Sequence, residues 1–198
     1  AEEAAKYGSE PGLIKIETIE KDGDGGVHAY GTDDRMVLGH SNPNWVLGFT
    51  NNFTYKGFDL SIHTMARLGQ MIQSDMLSRY TASDDITVNQ IAGTDYWTEN
   101  NQGAYFPRPG SAKKQSAYYS ALTFVDGSFF KIKNITLGYT LPTSLVKKAF
   151  MERVRFYATA YNPVIFCKSI LKDTDPETGG SDAFPTYREF VFGVNVTF

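Results

Sequence analysis

Apolar residues recur at every second position in several stretches of this chain. In Tyr187–Phe198, Phe190, Phe192, Val194, Val196 and Phe198 share one parity, while Glu189, Val191, Gly193, Asn195 and Thr197 share the other. Successive side chains of a strand point to opposite faces, so this spacing predicts a strand with one apolar face. Trp45–Tyr55 repeats the design, with Trp45, Leu47, Phe49, Phe53 and Tyr55 on one side and Asn51 as the only interruption. Lys56-Gly57 reads as a tight hairpin turn. Phe58–Leu68 then sets Phe58, Leu60, Ile62, Ala66 and Leu68 against Asp59, Ser61, His63 and Arg67. Val125–Tyr139 changes phase, because Phe130 and Ile132 have one parity and Ile135, Leu137 and Tyr139 the other. One extra residue near Lys133-Asn134 restores a single face, which predicts a β-bulge there. Arg153–Asn162 sets Arg155, Tyr157, Thr159 and Tyr161 against Val154, Phe156, Ala158 and Ala160.

Strands are therefore expected near 45–55, 58–68, 125–139, 153–162 and 187–198, with a further short one over Leu13–Ile19. The connections differ in kind. Lys56-Gly57 is minimal, and Thr140–Glu152, with Pro142 and S-L-V-K-K-A-F, predicts a compact link holding a short helical turn. Gly69–Leu122 has no sustained period beyond a possible helix over Gln70–Tyr80, and Pro163–Pro185 is a second loop centred on D-T-D-P-E-T-G-G. A loop as long as the first argues against an ordinary compact soluble domain. Alternation over about ten residues, with aromatics at both ends of the apolar face, is what a lipid-facing barrel strand requires. Long loops at one end and short turns at the other are the rule for such barrels.

Composition narrows the alternatives. The 12 Tyr, 14 Phe and 18 Gly suit turn-rich β structure better than a helical bundle. Apolar runs are only a few residues long, which excludes a transmembrane helix and leaves a transmembrane barrel open. A net charge of −3 argues against a nucleic-acid protein held by phosphate contacts. The single cysteine, Cys167, forms no internal disulfide, and no Cys/His cluster has metal-site spacing. The chain starts at Ala1 without Met, as a processed or partial sequence does.

Candidate chemistry is sparse. Asp22, Asp24 and Gly25 are spaced like the start of a calcium-binding loop, but the closing acid falls on Gly31, so a tight acidic turn without metal is the competing reading. Calcium is the one cofactor with any footing. Tyr96, Trp97, Tyr105 and Tyr118, with Phe106 and Tyr119 beside them, are candidates to stack on sugars or peptide side chains, or else to pack their own loop. Asp84 and Glu99 are a conceivable glycosidase pair, yet acids in a loop are usually just solvated, so no enzyme is expected. Asp59, His63, Arg67, Arg155 and Tyr157 are the expected lumen-lining residues of a barrel wall.

Ordered motifs also carry a resemblance. I-K-I-E…D-G-D-G-G-V…D-D-R-M-V-L-G-H-S-N-P (Ile14–Pro43), Y-K-G-F-D-L (Tyr55–Leu60), W-T-E-N-N…Y-F-P-R (Trp97–Arg108), D-G-S-F-F-K-I-K-N-I-T-L-G-Y-T-L-P (Asp126–Pro142), R-V-R-F-Y-A-T-A-Y-N (Arg153–Asn162), D-P-E and the closing F-G-V-N-V-T-F follow in sequence. Together they resemble the C-terminal part of a SusC/RagA-type TonB-dependent outer-membrane transporter. The resemblance implies an all-β, 22-stranded antiparallel transmembrane barrel with an N-terminal plug. It further implies import of oligosaccharides or peptides driven by TonB, under a SusD-like surface lipoprotein acting as lid. Phe198 resembles the C-terminal aromatic that bacterial outer-membrane barrels present for assembly. The plug, the TonB box and most barrel strands have no counterpart in this chain, so the rest of the same barrel is an implied partner. The Asp-rich turn departs from the family's usual D-x-N-G-D-G, with Glu20 and Asp22 at its first acidic places. The rival architecture is a soluble β-sandwich carbohydrate-binding module that uses the Trp97 loop.

Overall fold

A computed structural model describes residues 2–6, 9–16, 34–81, 91–111, 118–171, 174–184 and 186–198. The chain forms two compact units, 1–39 with 73–125, and 40–72 with 126–198. The second unit is dominated by one antiparallel sheet. Its strands are β1 (Trp45–Tyr55), β2 (Phe58–Leu68), β5 (Phe129–Thr140), β6 (Arg153–Cys167) and β7 (Glu189–Thr197), in the order β1-β2-β5-β6-β7. Two three-residue strands, β3 (Met71–Gln73) and β4 (Phe124–Asp126), pair separately. In the five-stranded sheet, consecutive strands are always neighbours, which makes it a simple meander.

The pairing puts the apolar positions in register. Tyr55, Phe58, Tyr139 and Phe156 form one row across four strands, and Phe53, Leu60, Leu137, Ala158 and Phe192 form the next. The bulge falls at Lys133: His63 pairs with Asn134 and Thr64 with Ile132, so Phe130 and Ile132 rejoin the face of Ile135, Leu137 and Tyr139. Strand β6 answers it with two residues, Asn162 and Pro163, between Tyr161 and Val164. Asn162 takes φ 48°, a left-handed conformation that asparagine tolerates, and this carries the strand past a proline that lacks the ladder N–H. A strand expected to stop at Asn162 therefore runs on to Cys167. The strand expected from Val125 is instead divided, because Gly127-Ser128 separates β4 from β5.

One face of this sheet is open. Phe49, Phe53, Phe58, Leu137, Phe156, Phe166 and Phe192 are all about half exposed or more, and Phe192 reaches 79 %. From Phe58 to Leu68 the apolar face covers ten steps of about 3.3 Å, and a strand tilted by about 40° projects this to roughly 25 Å, the height of a lipid-facing barrel band. Aromatic residues stand at both ends of the band. Phe58 and Tyr139 have ring centroids 4.5 Å apart at one end, and Phe130 and Phe166 are 6.1 Å apart toward the other.

The strand ends sort into two kinds. At one end lie Lys56-Gly57, with φ 46° and 87°, and the 141–152 link, where Thr143–Val146 is a single helical turn. Positive φ at both central residues matches the twist of a hairpin. At the other end β2 stops at Leu68, β5 starts at Phe129, β6 stops at Cys167 and β7 starts at Glu189, so the long connections leave from there. In the first unit Asp75–Thr81 is a short helix, and Leu77, Phe106, Tyr119 and Val125 are buried. Of the strand expected over Leu13–Ile19, residues 13–16 are not in a strand and 17–19 lie outside the described residues.

Candidate functional site

The face of the sheet opposite the open apolar one carries the polar chemistry, and its strands position it. Asp59 on β2 and Arg155 on β6 are separated by β5, yet Arg155 reaches across: Nε donates to Asp59 Oδ1 at 2.9 Å and Nη2 to Oδ2 at 2.5 Å. The fork lies over Gly138, which pairs with Asp59 on one side and Tyr157 on the other. A Cβ at Gly138 would stand 2.5 Å from Asp59 Oδ1 and 2.6 Å from Arg155 Nε, so the crossing needs a residue without a side chain. Tyr157 repeats the arrangement one strand on. A Cβ at Gly193 would come within 2.6 Å of its Cε1, and the Arg155 guanidinium sits 5.4 Å from the Tyr157 ring centroid. Further along the same face, His63 Nδ1 and Thr50 Oγ1 share a hydrogen bond of 2.9 Å, as do Thr136 Oγ1 and Thr159 Oγ1. Arg67 lies 6.0 Å from the Phe129 ring centroid. All five expected lumen residues thus fall on one face of the sheet.

Near the long-loop end sits a cluster that sequence reasoning missed. Lys131, only 2 % exposed, donates to Asp175 Oδ2 at 2.5 Å and Glu177 Oε2 at 2.7 Å. Lys133, the bulge residue, donates to both Glu177 oxygens at 2.8 and 3.0 Å. Asp175 caps the turn Pro176–Thr178 by accepting from the Glu177 amide at 3.0 Å. Burial pushes the Asp175 carboxyl up, but hydrogen bonds from Lys131, Thr186 and that amide outweigh it and hold it below its ordinary value. Burial likewise raises Glu177, and Lys131 and Lys133 bring it down further than burial lifts it. The available signal was an Asp-Pro-Glu capping turn in one loop and a lysine at an inward parity of the neighbouring strand.

The aromatic loop candidates divide. Tyr96, Tyr105 and Tyr118 are exposed, whereas Phe106 and Tyr119 are buried. Trp97 is partly buried: its ring lies against the Gly12 backbone, where a Cβ would meet Cε3 at 2.6 Å, and its amide donates to the Phe106 carbonyl. Asp95 organises this loop by accepting from Asn101 Nδ2 at 2.8 Å and the Tyr105 amide at 3.1 Å. Those two hydrogen bonds, the Asn101 one first, keep its carboxyl below its ordinary value. Asp22, Asp24 and Asp84 lie outside the described residues. Among the described residues no group of three or more metal-ligating side chains converges. Phe198 is 83 % exposed.

Comparison with known proteins fits this geometry. No family model matches the chain. It is 27 % identical over 183 residues to TonB-dependent receptor P3 of Formosa agariphila, a match covering 84 % of this chain and 18 % of that protein. It is 27 % identical over 185 residues to TonB-dependent receptor SusC of Bacteroides thetaiotaomicron, covering 91 % of this chain and 17 % of that one. The RagAB peptide transporter superposes with a TM-score of 0.72 at 23 % identity, over 94 % of this chain and 22 % of that chain. A meander with an open apolar face and a polar opposite face, superposable on such a transporter, has the fold of a stretch of transmembrane β-barrel wall. More closely, the chain is similar over most of its length to TonB-dependent receptors such as SusC, and it spans less than a fifth of the length of the curated relatives it matches. Those relatives carry the names of receptors, in agreement with the expectation that the chain is not an enzyme.

Proposed function

We propose that this chain is the C-terminal wall segment of a TonB-dependent transporter that imports oligosaccharides or peptides across the outer membrane. A SusD-like lipoprotein acts as its lid, and TonB engages a part of the protein outside this sequence. The observation that carries the reading is the open apolar face, about one bilayer core high, backed by a polar face that pairs Arg155 with Asp59 across strands and Lys131 with the Asp175 turn. A soluble sandwich would cover that face with a second sheet, and among the described residues fifteen large apolar side chains of the five strands instead remain exposed on it.

In this reading the short connections at 56–57 and 141–152 face the periplasm, and 69–128 and 168–188 face outward. Asp59, His63, Arg67, Arg155 and Tyr157 line the lumen around the plug, and Tyr96, Tyr105 and Tyr118 are the tyrosines open to substrate, with Trp97 holding their loop. The test is fractionation followed by uptake. Peptides containing Tyr187–Phe198 should arise from a detergent-soluble outer-membrane polypeptide several times larger than this chain. Deleting its gene should abolish TonB-dependent uptake of one oligosaccharide or peptide class. A water-soluble polypeptide no larger than this sequence would overturn the reading.

A further inference from the structure

We propose that Lys131 is a positioning residue that fixes Thr174–Gly180 as a ledge on the inward wall, so that this piece of the external loop narrows the passage. The inference rests on the transporter reading for its meaning, and on the second unit alone for its geometry. Lys131 occupies an inward parity of β5, opposite Met65 on β2 and Ile165 on β6. A lysine there would ordinarily reach into lumen water. Instead it is 2 % exposed, with its ammonium shared between Asp175 and Glu177, so the loop must lie over it.

The ledge is built as a fixed element. Asp175 and Pro176 start a capped turn, Gly179 and Gly180 leave it at φ 75° and 89°, and Pro176 is fully buried. Two acids against Lys131 and Lys133 balance the charge, and every carboxylate oxygen of the pair has a donor. An ammonium this buried is tolerated only while its partners stay in place. Lifting the ledge would strand it, and removing Lys131 would leave two acids facing each other with Lys133 alone to satisfy them. The bulge has a use here as well, because it brings Lys133 to the same carboxylate as Lys131.

Cys167 supplies the probe. It pairs with Phe129, one inward row from Lys131, and is partly buried. In the complete transporter chain, purified in detergent, its labelling rate with a polyethylene-glycol maleimide is divided by its rate with N-ethylmaleimide, which cancels changes in thiol reactivity. Lys131→Met should raise this ratio about tenfold or more while the folded gel mobility of the barrel is kept. Lys131→Arg should leave it near the wild-type value. Should Lys131→Met fail to assemble, Asp175→Asn with Glu177→Gln, which alters only the loop, should raise the ratio in the same way. An unchanged ratio in a folded variant overturns the proposal. A raised ratio in a protein that takes up no substrate would overturn the transport reading and leave the ledge standing.

Discussion

Gly138 offers a test whose outcome changes sign with its surroundings. A glycine within a strand is destabilising by about 0.5–1 kcal/mol relative to alanine, so Gly138→Ala should stabilise the barrel if backbone freedom alone mattered. Here the added methyl would fall 2.5–2.6 Å from Asp59 Oδ1 and Arg155 Nε, inside the fork that crosses β5. The fork must move off, losing two charge-assisted hydrogen bonds. Each such bond is worth about 1.5–3 kcal/mol when sheltered. The two side chains are 19 % and 33 % exposed, which brings the expected loss for the pair down to about 1–2 kcal/mol. With the backbone gain subtracted, Gly138→Ala is therefore expected to destabilise the wild type by about 0.5–1 kcal/mol and to stabilise an Asp59→Ala/Arg155→Ala background by about 0.5–1 kcal/mol, a coupling of roughly 1–2 kcal/mol. The assay is the folded fraction of the complete protein in detergent, read as gel mobility across a denaturant series, for the four members of the cycle. The same sign and size of change in both backgrounds would refute the steric account.

Gly57 has φ 87°, and its Cβ would lie 2.8 Å from the Thr140 carbonyl, so Gly57→Val should cost about 1–3 kcal/mol in the same gel assay, whereas Lys56→Asn should be neutral or better. Leu137→Arg puts a charge on the open face of the central strand and should lower membrane assembly by the equivalent of about 2–4 kcal/mol, while Thr136→Arg on the opposite face should assemble nearly as well as wild type. A soluble fold would reverse that ranking. The Lys131 cluster predicts a pH response. Asp175 and Glu177 titrate below their ordinary values, so their contribution is complete above that range and disappears only as pH falls through the depressed values. Amide hydrogen exchange of Glu177–Gly180 should therefore stay slow down to about pH 4 and accelerate below it, after correction for intrinsic rates. Acceleration already near pH 6 would refute the pairing.

Much of the sheet was legible because its signal is local. A period of two names the faces of Trp45–Tyr55 and Phe58–Leu68 directly, and the parity change in Val125–Tyr139 announces the bulge that the register places at Lys133. The reading failed where tertiary structure overrides a local cue. Asn162-Pro163 looked like a strand end, since proline cannot serve a ladder, and a left-handed asparagine with a two-residue bulge carries the strand through. Leu13–Ile16 alternates like a strand and is not in one. The inward residues Asp59 and Arg155 could be assigned a face, but their pairing across β5 depends on strand order and on Gly138, neither of which a single strand reveals. The Lys131 cluster was hidden more deeply still, because its acids lie more than forty residues away in a loop without periodicity.

The sheet's edges then say what it must be part of. Among the described residues β1 pairs only with β2, and β7 only with β6, so both outer strands present there a row of unpaired backbone groups on one side. In water such edges invite aggregation, and in hydrocarbon each unpaired group costs several kcal/mol. The open face between them demands hydrocarbon, since Phe49, Phe53, Phe190 and Phe192 in contact with water would each forgo about 1.5–3 kcal/mol of burial. Under the proposed transporter reading the two requirements have one common solution: further strands on both sides that close the sheet on itself, with lipid outside. The paired charges fit it too. Asp59–Arg155 and Lys131–Asp175–Glu177 sit on the polar face, which a closed barrel would turn toward water, and none of them lies on the open apolar face.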